Sequence, residues 1–354
     1  METTLGIIEG FYGKLYTKRQ RESLCSFASR NGYSYYIYAP KNDRSLRRAW
    51  KEEFSDTQIA KLKNFALFCH AHSMQFGIGI SPLGITEDPK RELSFLYKKI
   101  DTAINEFNAD IIAILFDDIK LYTKDEGIKQ KQIVKDIFNR LKGKRKRLIF
   151  CPTYYSFDPI LDKVFGERPS DYFEQITDNL PHDIEIFWTG NKVLSKSITR
   201  EDIENINKRF KRKVTIWDNY PVNDGKFISK KIYTREFSSR EKLDGVVLSH
   251  AVNPMLEANL TKISLSTLPL CYQEKSETEI REHRLKEIKN LFKSDSSKLI
   301  DYLDKLNDEG IDCLNDSQKK ELLNICKKKK NAASREIIDF INGVYKFDPA
   351  CLTS

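Results

Sequence analysis

Eight short apolar runs, rich in β-branched and aromatic residues, recur through the first 250 residues, and longer amphipathic stretches fall between most of them. The runs are LGIIEG (5–10), YYIYAP (35–40), QFGIGIS (75–81), IIAILFDD (111–118), RLIFCPT (147–153), IEIFWTG (184–190), VTIWDN (214–219) and GVVLSH (245–250). Helical periodicity falls over 17–31, 57–73, 91–108 and 126–142, and again over NPMLEANLTKISLSTLPL after the eighth run. Eight strand-then-helix units in that length point to an α/β chain folded as a (β/α)8 TIM barrel. A doubly wound sheet would have fewer strands and a glycine-rich first turn. EGFYGK is not a G-x-G-x-x-G, so nothing suggests a dinucleotide; no cofactor is expected.

From Ser276 the alternation stops, and helical patterns over 278–292, 297–306, 314–329 and 333–343 follow, separated by Asn, Asp and Gly. The expected organisation is a barrel over 1–275 and a small C-terminal helical domain over 276–354. No apolar run approaches the roughly 18 residues of a membrane span. The opening METTLGIIEGFYG has neither a basic region nor a long apolar stretch, so no signal peptide is expected. Seven cysteines at scattered spacing, without a C-x-x-C, argue against a disulfide framework and against zinc, and favour free thiols in the cytoplasm. Cys69, His70 and His72 look metal-like but lie within a helical pattern, where packing and surface roles are expected.

Barrel enzymes draw their chemistry from the C-terminal ends of the strands. Here those ends carry Gly10, Phe11, Tyr12 and Gly13; Lys41, Asn42 and Asp43; Asp117 and Asp118; Tyr154 and Tyr155; Trp188 and Thr189; Trp217, Asp218, Asn219, Asn223 and Asp224; His250 and Asn253. Aromatic rings among amides and carboxylates suit a carbohydrate, whose C–H faces stack and whose hydroxyls need polar forks. Taken singly, Trp217 can also be read as barrel packing, Lys41 as an exposed loop charge and Asn219 as a turn former. The adjacent pair Asp117–Asp118 has no such ordinary use after six apolar residues.

In order along the chain, GIIEGFYG, YIYAPKND, ILFDDI, CPTYY, FWTG, TIWDNYPVND and NPMLEAN resemble the motif series of glycoside hydrolase family 84, from Gly6 to about Leu270. That family includes β-N-acetylglucosaminidases that remove O-linked GlcNAc from proteins and bacterial relatives once called hyaluronidases. The resemblance implies a (β/α)8 barrel followed by helices, and a retaining exo-hydrolysis in which the sugar's own 2-acetamido oxygen is the nucleophile. It assigns Asp117 to the acetamido group and Asp118 to general acid/base catalysis. Two such neighbours titrate as a pair, with one proton held to higher pH. The resemblance further implies that Tyr155 bonds the acetamido carbonyl side, Trp217 walls the pocket, and Asn219 supports the acetamido group and ring hydroxyls. Asp224 and Asn253 would hold O4 and O6, with Lys41 and the Gly10 backbone on the hydroxyl edge. Lys14-Leu15-Tyr16 and Tyr154 depart from the family's usual Pro-Trp and Glu, on the side of the leaving group.

The net charge of +9 lies wholly in the first 275 residues, since 15 acidic and 15 basic residues balance from Ser276 onward. KGKRKR (142–147) and KRFKRK (208–213) precede the fifth and seventh strands, which places them on the face opposite the site. Solvated turns are the ordinary reading, and docking on nucleic acid or an anionic surface the sharper one, with KKKK (327–330) as an extension. A barrel that binds a GlcNAc-bearing partner without turnover, or that uses this basic face, is the alternative to the enzyme; Asp118 separates the two, because binding alone needs no acid.

Overall fold

The strands are apolar on both faces because each is covered outside by helices and inside by the barrel's own filling. The computed structural model describes residues 2–120, 123–293 and 297–353. Strands β1 (Thr4–Glu9), β2 (Tyr33–Tyr38), β3 (Gln75–Ile80), β4 (Ile111–Leu115), β5 (Arg147–Cys151), β6 (Ile184–Trp188), β7 (Thr215–Asp218) and β8 (Ser249–Val252) pair in sequence order and close into a barrel. All pairings, including β1 with β8, are parallel. Helices α1 (Lys18–Arg30), α2 (Asp56–Ala71), α3 (Pro89–Phe107), α4 (Glu126–Leu141), α5 (Pro159–Phe165), α6 (Tyr172–Thr177) and α7 (Arg200–Phe210) lie between strands. The starts of α1, α2 and α7 are set by capping boxes, Thr17 with Gln20, Ser55 with Gln58 and Thr199 with Asp202. Asp88 caps α3, whose first residue is Pro89.

The end of the barrel below the site is filled by polar groups. Arg147 donates to Glu185 at 2.9 Å, Thr215 to the same carboxylate at 2.6 Å, and the Tyr35 hydroxyl to Ser249 at 3.2 Å. Tyr35 occupies the space over Gly6, where a Cβ would lie 2.1 Å from its ring. Both basic runs precede β5 and β7 as expected, but Arg147 is thereby turned into the barrel, and Arg212 is spent on the carbonyls of Leu180, Pro181 and Ile184.

The eighth strand is displaced from its expected place. It starts at Ser249, not Gly245, because Gly245 takes a positive φ of 74° and the Val246 N–H turns back to Leu243. The Asn207 side chain then takes the Val246 carbonyl at 2.7 Å. The helix expected from Asn253 also begins late, as α8 (Thr261–Leu265) and α9 (Leu268–Tyr272). The N–H groups before it are held by side chains instead: Leu256 by Asn223, Asn259 and Leu260 by Glu336, and Met255 by Thr261. No α-helix joins β7 to β8 among the described residues; 219–248 is a long connection with one short turn at Ile228–Lys230.

After the barrel come α10 (Glu277–Phe292), α11 (Ser297–Asp308), α12 (Asp316–Lys329) and α13 (Ala332–Ile341), each end within two residues of its sequence expectation. KKKK closes α12, where cations meet the negative end of the helix dipole. α10 lies on α8 and α13. Buried Arg284 reaches from α10 to the Thr234 carbonyl and Asp304. No helix is long and apolar enough to cross a membrane among the described residues.

Candidate active site

β4 runs Ile111–Leu115, and the chain turns at once so that Asp117 and Asp118 stand at the barrel mouth. Consecutive strand residues point to opposite faces, which would send one carboxylate away. Asp118 takes φ +56°, the left-handed region that Asp tolerates better than most side chains. With this turn both carboxylates line one cleft, together with Gly10, Lys41, Tyr155, Trp217, Asn219, Asp224 and Asn253. The nine residues singled out from the sequence therefore meet in one place.

The two acids have different surroundings. Lys41 is buried, not an exposed loop charge, and its ammonium pairs with Asp117 Oδ2. Asp117 Oδ1 is buried and has no hydrogen-bond partner among the described residues. Asp118 receives the Tyr12 hydroxyl on Oδ2 at 2.8 Å and the Tyr155 hydroxyl on Oδ1 at 3.3 Å. Its carbonyl takes a bond from Arg47 Nη2 at 2.9 Å. Burial, then the charge of Asp117, raises the Asp118 pKa above the usual carboxylate range, against the opposing pull of Lys41 and Arg47. Asp224 accepts the Tyr12 N–H at 2.7 Å, yet burial pushes its pKa up to about 6.

The far wall is a hydrogen-bonded set. Asn219 Oδ1 receives both Trp217 Nε1 at 2.9 Å and Asn253 Nδ2 at 3.0 Å, and Asn219 Nδ2 donates to the Val193 carbonyl at 2.9 Å. Asn253 Oδ1 takes the Gly10 N–H at 3.2 Å. Each amide keeps one N–H beyond these bonds. Gly10 is required by close approach, since a Cβ there would lie 2.4 Å from the Trp217 ring. Beneath, Asp218 is clamped by Arg240 Nε at 2.9 Å and His250 Nε2 at 3.1 Å.

Several strand-end residues are not brought to the cleft. His250 serves the Asp218 clamp, and Asn223 bonds Glu257 and the Lys231 carbonyl. Asp43 caps the turn at Arg44, Tyr154 donates to the Gly166 carbonyl, and Trp188 packs among Phe157, Phe173 and Phe210. His70 meets Asp110 and His72 stacks on Phe68, ordinary helix-surface roles. Conversely, Arg47, Leu194, Cys351 and Thr353 were not foreseen at or beside the cleft. Arg47 stands in the basic stretch RSLRR just after Lys41, which was a usable signal; nothing local marks Cys351 or Thr353.

The family model described as beta-N-acetylglucosaminidase matches residues 5–304. The chain belongs to the β-N-acetylglucosaminidase family. Protein O-GlcNAcase of Rattus norvegicus is 31% identical over 282 residues, covering 76% of this chain and 30% of that protein. The Mus musculus protein of the same name gives the same figures. The chain thus spans about a third of the length of these curated relatives. A solved structure of a Thermobaculum terrenum O-GlcNAc hydrolase mutant superposes with a TM-score of 0.76 at 25% identity, covering 91% of this chain and 70% of that one. The matched region contains every cleft residue named above except Cys351 and Thr353.

Proposed function

We propose that the chain is a retaining exo-β-N-acetylglucosaminidase that works by substrate assistance and removes O-linked GlcNAc from proteins. The observation that carries this reading is the unequal dress of the two carboxylates. Asp117 has one oxygen neutralised by Lys41 and the other buried without a donor, which is what an acetamide N–H needs. Asp118, beside it, is the one whose proton is held.

The 2-acetamido oxygen attacks C1 as Asp118 gives its proton to the departing oxygen, and the C1–O bond breaks. Asp117 accepts the acetamide N–H and stabilises the cationic oxazoline. Water then adds at C1 as the Asp118 carboxylate takes its proton, the ring opens, and the β-configuration is restored. A protein nucleophile would need a second carboxylate across the bond, roughly 5 Å from the acid; adjacency is tolerable when the substrate brings its own. Tyr155 and Tyr12 hold Asp118 in place, and Trp217, Asn219, Asn253 and Asp224 receive the sugar's ring and hydroxyls. The similarity to protein O-GlcNAcases supports a protein-linked GlcNAc. The free thiols, buried except for half-exposed Cys313, suit a reducing compartment such as the cytoplasm.

The test is hydrolysis of a series of aryl β-GlcNAc substrates. Asp118→Ala is expected to lose at least 100-fold in kcat/KM on poor leaving groups and far less on activated phenols. Asp117→Ala is expected to lose about as much on all of them. Binding of GlcNAc without turnover by the unaltered protein would establish the non-catalytic alternative instead.

A further inference from the structure

Beside the cleft lies a second pocket of about 260 Å³, lined by Tyr12, Lys41, Asn42, Arg44, Arg47, Arg48, Asp348 and Ala350. Tyr12 and Lys41 line both cavities, so the two adjoin on the side where Arg47 and Tyr12 touch Asp118. Lys41 is committed to Asp117, but the three guanidiniums are not neutralised. Arg44 and Arg48 are exposed and have no ion-pair partner among the described residues, and Arg47 Nη1 is a buried donor without an acceptor. Against these stands a single carboxylate, Asp348, which is taken up by Asn42 Nδ2 at 2.7 Å and the Ala350 N–H at 2.9 Å.

We propose that Arg44, Arg47 and Arg48 form an acceptor subsite for an acidic side chain of a peptide whose serine or threonine carries the sugar. This rests on the glycosidase reading and adds the class of acceptor. Guanidiniums with open donors are the residues best matched to carboxylate and phosphate. The chain's own path points to a peptide as the bearer of the anion. Residues 348–353 run from this pocket, at Asp348 and Ala350, to the sugar cleft, at Cys351 and Thr353. The Thr353 side chain faces the Tyr155 hydroxyl, next to Asp118. An acidic residue and a threonine hydroxyl, five residues apart on one strand of peptide, thus already span the two cavities. With Cys351 and Thr353 in its mouth the cleft encloses about 50 Å³, room for a few waters, so a substrate peptide takes this path by displacing the segment.

The experiment compares three substrates on the full chain: a neutral aryl β-GlcNAc, an O-GlcNAc peptide with Asp and Glu on the N-terminal side of the glycosylated threonine, and the same peptide with Asn and Gln there. The acidic peptide is expected to exceed its amide counterpart by about tenfold in kcat/KM, with the margin shrinking as salt rises. In Arg44→Ala/Arg48→Ala the margin is expected to fall to about one, and Arg44→Lys/Arg48→Lys to restore part of it, which loss of folding would not do. Equal rates on the two peptides, or a margin that survives in the double alanine variant, overturn the subsite. Faster turnover of a GlcNAc–hexuronate disaccharide than of the acidic peptide overturns the peptide as its occupant. Absence of turnover on the aryl glycoside would fail the glycosidase reading itself, so the two failures are distinct.

Discussion

At the residue scale the site depends on making two neighbouring carboxylates unlike. The left-handed turn at Asp118 brings both to one cleft, and their partners then separate them: a cation on Asp117, phenols and burial on Asp118. Because its pKa is raised, Asp118 keeps its proton to higher pH than an exposed Asp, and activity should fall as pH rises through that value. The Tyr12 hydroxyl bonds the ionised form and so holds the value down. Removing it in Tyr12→Phe is expected to move the alkaline limb of kcat/KM upward while lowering the maximum. A limb that stays put, or moves down, would mean that another group gives the proton.

At the element scale, the long β7–β8 connection takes the place of a helix and carries Asn219 and Asp224 to the cleft. Its anchor is Arg240, which bonds Asp218 and the Ser195 and Lys196 carbonyls from within the buried network. Burial works to raise the Asp218 pKa, but Arg240 and His250 overcome it and hold it well below the usual range. A depressed carboxyl contributes stability above its unfolded value, about 3.9, and loses it as pH falls. Arg240→Met should therefore cost about 3–5 kcal/mol at neutral pH, and distinctly less near pH 3, in denaturant titrations at both pH values; an equal loss at both would point to packing alone. KM should rise with it, since Asn219 follows directly on Asp218. Neither the clamp nor the shifted β8 is readable from local pattern. Val246 and Val247 look like strand residues, but the chain turns back at Gly245, and Asn207, some 40 positions away, takes up the Val246 carbonyl there. The strands and most helices were legible because their periodicity and capping residues are local. The cleft residues were legible because barrel topology gathers strand ends that are distant in sequence. Lys41 was legible as a site residue through its motif, but its pairing with Asp117 was not, since a buried ammonium is intelligible only once its carboxylate is known.

At the scale of the whole molecule, the barrel and the helices after it are held together by buried polar contacts as well as by apolar packing. Glu336 of α13 receives the N–H groups of Asn259 at 2.8 Å and Leu260 at 3.0 Å and the Asn259 side chain at 2.8 Å, all from the loop that follows β8. This loop also begins with Asn253, which faces the cleft, so the helices bear on the site through one carboxylate. Glu336→Ala would leave those buried donors unpaired, each at a cost of about 1–3 kcal/mol. The unaltered protein is expected to unfold in one calorimetric transition and the variant at a temperature several degrees lower, with hydrogen exchange quickened at 255–260 before the strands. Glu336→Gln keeps an acceptor oxygen and should lose less. If both variants melted like the unaltered protein, Glu336 would not be what fixes the loop after β8, which would owe its shape to Asn223 and Thr261.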